Sequence, residues 1–392
     1  MRKKINLVVV GLLGIIITLV LNFYLTESQP IENKLSKLRL TDGFKIEKFA
    51  DLSKLGKPRM MALDGHGNLI LTLSSGYLIK LDKNANVNIL AKGLHHPNGV
   101  EVFDDSIFVG VSDGILKFSY DGKNIKDVRP FISGLATGGH GRKSVKRSPD
   151  GFIYVNVGSS CNVCNESDST RASILRFTLD GQPAGIDIDQ KSNVKKAVWA
   201  TGLRNSQGFA WHPVTKEFYA TNEGADNRSE SQGGRVNDDL PPEHLNIISG
   251  GGNYGWPYCW ADTTQKNKMN QDPNFVGRPN ICKKANSPAI TLPAHSTPIG
   301  ITFLNKSNFP KSYKEDAVIA LHGSWNRKNP SGYQVVRVKF ANNKPIAVEP
   351  FVTGWLQDGK AWGRPVDVIV DDEGNLLVSD DKSGLIYKIS AS

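Results

Sequence analysis

Residues 364–380 read Arg364-Pro-Val-Asp-Val-Ile-Val-Asp-Asp-Glu-Gly-Asn-Leu-Leu-Val-Ser-Asp380, and Leu385-Ile-Tyr-Lys-Ile389 follows. An apolar strand, an Asp/Glu/Gly turn, a second apolar strand and a third describe an antiparallel meander. The unit recurs upstream. Pro58-Arg-Met-Met-Ala-Leu-Asp-Gly-His-Gly-Asn-Leu-Ile-Leu-Thr72 with Gly76-Tyr-Leu-Ile-Lys-Leu-Asp82 is a first copy. Pro97-Asn-Gly-Val-Glu-Val102 with Gly114-Ile-Leu-Lys-Phe-Ser-Tyr-Asp-Gly122 is a second. Further copies hold Ser148-Pro-Asp-Gly-Phe-Ile-Tyr-Val-Asn-Val-Gly158, Gln207-Gly-Phe-Ala-Trp-His-Pro213 and Pro298-Ile-Gly-Ile-Thr-Phe303. With the stretch at 364 these make six.

Six copies of a period-two hairpin unit predict an all-β, six-bladed β-propeller, whose radial closure protects the sheet edges. Two stacked β-sandwiches would not produce six similar units. Copies four and five carry long inter-strand insertions, read here as about 223–250 and 257–297. Long loops in a compact ring usually serve function, and these are expected to roof one face of the central channel.

The chain has 392 residues, 39% of them hydrophobic, with 38 Gly and 4 Cys. This excludes a disordered chain, a collagen and a disulfide-stapled mini-protein. Net charge is +10, but the Lys and Arg are scattered, with no run longer than Arg2-Lys-Lys4. A positive surface is therefore read without a nucleic-acid partner.

Arg2, Lys3 and Lys4 precede an apolar run from Leu7 to Leu25. A positive flank before such a run is an export signal, and about 20 apolar residues suffice to cross a bilayer. No Ala-x-Ala cleavage site follows, so residues 7–25 are read as an uncleaved membrane anchor, with a cleaved signal peptide as the alternative. The expected organisation is 1–26 signal anchor or signal peptide, 27–43 linker and 44–392 propeller. The propeller would then lie in a Gram-negative-type periplasm, anchored to the inner membrane or released. In that oxidising compartment the cysteines are read as disulfides. The preferred pairing is Cys161–Cys164 and Cys259–Cys282, because each closes a loop; spacing alone leaves other pairings open.

Chemistry-bearing side chains cluster where blades begin. They are His140 in Gly138-Gly-His-Gly-Arg142, Arg204-Asn-Ser-Gln-Gly208, Asn222-Glu-Gly-Ala225 and Trp362-Gly-Arg-Pro365. Gly251-Gly-Asn-Tyr-Gly-Trp-Pro257 and Leu321-His-Gly-Ser-Trp-Asn-Arg327 add aromatic and basic groups. A plainer reading stands beside each: His140 as a turn residue between glycines, Arg204 and Asn205 as a capping and salt-bridging pair, Asp238-Asp239 as a solvated or structural-calcium loop. His66, His212 and His244 are read as surface or turn residues, and Trp256 and Trp325 as packing.

Taken together and in this order, these motifs make the chain from about Thr41 onward resemble the soluble pyrroloquinoline quinone (PQQ)-dependent sugar dehydrogenases, especially the sorbosone dehydrogenase-like branch. The resemblance implies an exported, PQQ- and calcium-dependent enzyme that oxidises a sugar, sugar aldehyde or polyol by hydride transfer, passing electrons to a respiratory-chain acceptor. It implies His140 as general base and a cofactor-facing Arg204–Asn205 pair, with Arg204 also at the catalytic centre. Ca²⁺ would be held by the backbone carbonyls of Gly224 and Ala225, and Arg364 would be a further quinone contact. The family's lysine contact has no clear match, and His322 or Arg327 is expected in its place. His96-Pro97 stands where the family has a channel-facing amide. Gly139 and Ser159 stand where the glucose-oxidising branch keeps carboxylates, which leaves substrate and turnover open.

The physical chemistry agrees with these roles. A planar tricarboxylate quinone needs guanidinium forks, a hard cation needs oxygen ligands, and a neutral imidazole can accept a hydroxyl proton. Two alternatives remain. A calcium-dependent lactonase-like hydrolase would need carboxylates converging on a central metal. A non-catalytic ligand-binding propeller would present a cationic channel without a quinone-sized slot.

Overall fold

The protein is described by a computed structural model covering residues 34–186, 194–276 and 280–392. Two units divide the chain, 1–39 and 40–392. Of the first, residues 34–39 are described, one turn running into extended chain. The anchor expected at residues 7–25 lies outside the described residues.

The second unit is the ring of six blades, each built on four antiparallel strands. Blade one runs Pro58–Leu63, Leu69–Leu73, Tyr77–Leu81 and Val87–Ala91 from the centre outward. Blade two follows with Val100–Phe103, Ser106–Val111, Gly114–Tyr120 and Ile125–Ser133. Blade three has Val145–Arg147, Ile153–Val157, Ser173–Phe177 and Val198–Thr201. Blade four has Phe209–Trp211, Phe218–Asn222, Glu243–Ile248 and Ile290–Leu292, and blade five Pro298–Phe303, Ala317–Leu321, Gln334–Ala341 and Lys344–Thr353. Blade six takes Pro365–Val370, Leu376–Asp380 and Leu385–Ala391 from the end of the ring, and its outermost strand, Phe44–Asp51, from the beginning. Phe44 pairs with Ala391 and Asp51 with Leu385, so the ring is closed by backbone hydrogen bonds rather than by a loop.

Blades pack face to face, which spreads the core into slabs between neighbours. One slab joins Ile70 and Leu78 of blade one to Ile107, Val109 and Phe118 of blade two. Another joins Leu71 and Ile79 to Leu377 and Ile386 of blade six. Leu69–Leu73, Ile153–Val157, Ala317–Leu321 and Leu376–Asp380 are accordingly buried at every position. Strict apolar–polar alternation, expected from the repeats, gives way there because both sheet faces meet a neighbouring blade. Polar residues return on the outer strand Ile125–Ser133.

Where inner strands meet, the backbones nearly touch. A Cβ on Gly208 would stand 1.8 Å from the Ile299 carbonyl oxygen, and one on Gly300 would stand 2.5 Å from the Asp367 Cα. These two glycines are needed by the close approach of the next blade.

The insertions divide differently from the sequence reading. Glu243–Ile248 and Ile290–Leu292 are the third and fourth strands of blade four, so both insertions, 223–242 and 249–289, belong to that blade. Glu243–Ile248 escapes a hydropathy reading because Glu243, His244 and Asn246 are buried polar residues. The second insertion holds a small hairpin, Cys259–Ala261 with Met269–Gln271. The Cys259–Cys282 disulfide ties it to the helical turn Ile281–Lys284.

Candidate functional site

Inner-strand starts from several blades converge on the ring axis, and Asn98 shows where. Its fully buried amide accepts from Arg59 Nε at 3.0 Å and donates to the Lys143 carbonyl at 3.3 Å and to Gln207 Oε1 at 3.4 Å. Blades one, two, three and four are thus joined through one side chain. Asn98 is a buried amide one position beyond His96-Pro97, the place where the sequence reading found no amide.

His140 lies beside blade three's second strand. Its Nδ1 is 3.1 Å from the Ser159 carbonyl oxygen and 2.9 Å from Ser159 Oγ. The hydroxyl hydrogen of Ser159 is committed to the Cys161 carbonyl at 2.7 Å, so both Ser159 oxygens face His140 as acceptors. Nδ1 therefore carries the proton and Nε2 the lone pair. Among the described residues no carboxylate is hydrogen-bonded to the ring; the buried Ser159 orients it. Burial, then the charge of Arg204, push the imidazole down to about 4, so it is neutral at ordinary pH.

Arg204 is buried and largely engaged. Nε donates to the Asn162 carbonyl at 3.2 Å, and Nη2 donates to Asn162 Oδ1 at 3.1 Å and to Asp226 Oδ2 at 3.0 Å. Among the described residues Nη1 has no partner. Asp226 also faces His295 Nδ1 at 3.2 Å and takes Asn326 Nδ2 at 3.1 Å, and these contacts with Arg204 hold its carboxyl below the usual range.

The segment between Arg204 and Asp226 has features that suit a cation. Asn205 Oδ1 is buried and has no hydrogen-bond partner. The carbonyl oxygens of Gly224 and Ala225 accept no backbone hydrogen bond among the described residues. Behind them lie two buried carboxyl groups that sequence reasoning passed over. Glu243 takes the Gly224 N–H and is pushed up to about 8, mainly by burial, and Glu223, held by Gln207 Nε2 at 3.1 Å, is raised for the same reason.

Across the channel, Asp381 accepts from Arg59 Nη1 at 2.6 Å and pairs with His322 Nε2 at 2.8 Å. His322 is thus tied to a carboxylate, and burial brings its imidazole down to about 4. Arg364 donates from Nε to the His322 carbonyl at 3.2 Å and from Nη2 to the Gly323 carbonyl at 2.8 Å. Arg142 is the residue the motif contained and the reading left without a role. Its carbonyl accepts from Asn156 Nδ2 at 3.0 Å, but its guanidinium has no hydrogen-bond or ion-pair partner among the described residues, and the neighbouring Arg59 charge, with burial, lowers it to about 10. Asp381 and Glu223 oppose that repulsion only in part, and of the two guanidiniums only Arg59 is ion-paired among the described residues, so an anion would relieve the site.

The remaining candidates are placed as follows. Arg327 gives Nη1 to the Ala294 carbonyl at 3.0 Å and Nη2 to Asp239 at 2.6 Å, while Asp238 takes the Lys328 N–H, so the Asp238-Asp239 pair pins the 324–331 loop. Trp325 on that loop is 75% exposed, whereas Trp256 is buried with Nε1 on the Asn162 carbonyl. His66 lies on an exposed turn, but His212 and His244 are buried, contrary to expectation. Both disulfides form as paired in the sequence reading, Cys161–Cys164 and Cys259–Cys282. Cys161, Cys164 and Glu166 are the one His/Cys/Asp/Glu group among the described residues close enough to share a metal, and its sulfurs are bonded to each other. No carboxylate cage of the lactonase kind is present among those residues. A cavity of about 460 Å³, walled by Phe209, Trp211, Phe303 and Val368, lies on the inner strands; Gln207 lines it, but His140, Arg142, Arg204, His322 and Arg364 do not.

Comparison with known proteins gives a consistent picture. The TrAA12-like family model matches residues 38–392. A Borreliella burgdorferi protein is 29% identical over 380 residues, covering 90% of this chain and 91% of its own. The PQQ-dependent pyranose dehydrogenase of Coprinopsis cinerea is 25% identical over 409 residues. Those residues are 90% of this chain and 54% of that enzyme, so the chain spans about half its length. The holo PQQ domain of that pyranose dehydrogenase superposes with a TM-score of 0.77 at 22% identity, covering 90% of this chain and 97% of that one. A calcium structure of the Trichoderma reesei family AA12 enzyme also gives 0.77, at 20% identity over 91% and 97%. These likenesses establish the six-bladed fold.

Proposed function

The chain belongs to the TrAA12-like family, and from that membership we propose that it is a PQQ- and calcium-dependent dehydrogenase of sugars, sugar aldehydes or polyols. The observation that carries the reading is the Arg142 guanidinium, charge-coupled to Arg59 and without a partner among the described residues, in the same set of inner-strand starts as His140 and Arg204. A tricarboxylate fits such a site. Arg142, the free Nη1 of Arg204 and Arg364 would hold its carboxylates. The open carbonyls of Gly224 and Ala225 and the orphaned Asn205 Oδ1 are oxygen ligands of the kind Ca²⁺ takes. Bound there, PQQ supplies a two-electron oxidant able to accept hydride from a carbinol carbon.

The protein's own part is to bind, orient and move a proton. His140 Nε2, bare because Nδ1–H is held by Ser159, takes the substrate hydroxyl proton. The Ser159 carbonyl dipole supports the imidazolium that forms, in the place of a carboxylate. His322 is fixed by Asp381 and shapes the far wall. Two disulfides agree with an oxidising compartment, so export to the periplasm, anchoring through residues 7–25 and electron transfer to a respiratory acceptor belong to the same proposal.

The test is to add PQQ to purified apo-protein with and without Ca²⁺, and to follow bound-quinone absorbance and dye reduction over a sugar panel. Calcium-dependent binding with sugar-dependent dye reduction is expected. No quinone binding in either condition would end this reading.

A further inference from the structure

Cys161 and Cys164 close a four-residue ring, and one residue inside that ring, Asn162, touches both halves of the candidate site. Its carbonyl accepts from Arg204 Nε at 3.2 Å and from Trp256 Nε1 at 3.0 Å. Its side-chain oxygen accepts from Arg204 Nη2 at 3.1 Å and from the Asp226 N–H at 2.7 Å, and its Nδ2 donates to the Asp226 carbonyl at 2.8 Å. The amide therefore pairs with the backbone of Asp226 at two points, as a neighbouring strand would. The ring's other contact leads to the opposite side: the Cys161 carbonyl fixes the Ser159 hydroxyl, which faces His140 Nδ1.

We propose that Asn162, held by the Cys161–Cys164 ring, is the positioning residue that fixes Arg204 and the Gly224–Asp226 segment relative to each other. Arg204 lies in the segment that leads into the inner strand of blade four, Phe209–Trp211, whereas Gly224–Asp226 lies in that blade's first insertion. A loop of that length is not placed by sheet hydrogen bonds alone. An unconstrained asparagine would lose rotamer and backbone freedom to make five hydrogen bonds at once, and the ring removes part of that freedom in advance. The consequence for ligand affinity rests on the function proposed above; the consequence for the segment's order does not.

The experiment compares Asn162→Ala, Asn162→Asp and the double variant Cys161→Ser/Cys164→Ser with wild type, using the full chain. Two readouts are taken: amide hydrogen exchange at Asp226, without any ligand, and the Kd of PQQ in excess Ca²⁺ from bound-quinone absorbance. Partners that orient primary ligands typically contribute 10–100-fold in affinity. Asn162→Ala is expected to raise the PQQ Kd by about that factor, with the KM of the sugar unchanged and blade-strand amides such as Val155 still protected. Asn162→Asp keeps the acceptor oxygen for Arg204 Nη2 and the Asp226 N–H but loses the donor to the Asp226 carbonyl, so it should recover part of the affinity lost in Asn162→Ala, which general loosening would not allow. The serine double variant should speed exchange at Asp226 and raise the Kd although Asn162 is intact. Wild-type exchange at Asp226 in the serine variant, or a Kd within twofold in Asn162→Ala, would overturn the inference. If wild type binds no PQQ, the functional reading fails and exchange at Asp226 alone decides for or against the clamp.

Discussion

The Nδ1 of His140 and the Oγ of Ser159 lie 2.9 Å apart, and the Ser159 hydroxyl hydrogen is spent elsewhere, on the Cys161 carbonyl. That relationship sets which nitrogen of His140 can receive a proton. Burial, then the charge of Arg204, bring the imidazole down to about 4, against the opposing pull of Ser159 and Asp226.

His140→Gln should leave PQQ and calcium bound and slow substrate oxidation by about 10²–10⁴-fold. The acid limb of the wild-type rate should fall near pH 4, because the imidazole remains an acceptor until it protonates. Single-turnover reduction of bound quinone across pH measures both. Wild-type kinetics in the variant, or an acid limb at pH 6.5, would contradict this assignment.

Arg204→Lys should behave almost as badly as Arg204→Ala. A single ammonium cannot span the Asn162 carbonyl, Asn162 Oδ1 and Asp226 while leaving an edge for a ligand. Titration of PQQ should show affinity loss of tenfold or more in both; full affinity in the lysine variant would refute the fork geometry.

Asp381→Ala is expected to destabilise the ring by about 3–5 kcal/mol, because it strips a buried guanidinium of its counter-charge. Arg59 is 2% exposed, and Asp381 is its one ion-pair partner among the described residues. Denaturant unfolding of variant and wild type at neutral pH reads the difference. A change below 1 kcal/mol would show that Asn98 alone satisfies Arg59.

His244 is pushed down to about 4 by burial, with no carboxylate to counter it. Between about pH 6.5 and 4 the unfolded chain binds a proton there and the folded chain does not. Stability is therefore lost as pH falls through this window, by about 1.4 kcal/mol per pH unit for one group. His244→Gln should flatten the acid slope of unfolding free energy by that amount. An unchanged slope would mean that His244 protonates in the folded state.

Gly208→Ala should prevent folding or lower stability by about 3 kcal/mol or more, since the new methyl would overlap the Ile299 carbonyl. Thermal unfolding of soluble material, or its absence from the soluble fraction, is the measurement. An unchanged Tm would show that blades four and five can separate at no cost.

What the sequence made legible was local. Asp-Gly turns and apolar runs recur within 20 residues, so six blades could be counted, and Cys161–Cys164 and Cys259–Cys282 could be paired because each closes a short loop. Polar strands were another matter: Glu243–Ile248 reads as a loop because its channel-side residues are buried among partners no window contains. Arg59 meets Asp381 across 322 residues and Phe44 pairs with Ala391, contacts that exist only once the ring has closed. Arg142 lay in a noticed motif, yet its significance is a missing partner, and a missing partner is a property of three dimensions. Asn162 has no signal of its own in the sequence, since its five contacts reach Arg204, Asp226 and Trp256, 42 or more residues away.

Closure by the strand Phe44–Asp51 has a mechanical side. Phe44 faces Ala391, and the Ser392 N–H donates to the Gly43 carbonyl at 2.9 Å, so tension between residues 43 and 392 loads this strand pair at one end. An antiparallel pair pulled apart from its end parts one hydrogen bond after another, whereas the same pair pulled along its length must break them together. The ring is thus held by a zipper whose tab is residue 43: force applied there would part the Phe44–Ala391 end and strip Phe44 from Phe309, Tyr313 and Phe351 before it reached Ala50, which the slab between blades six and one holds.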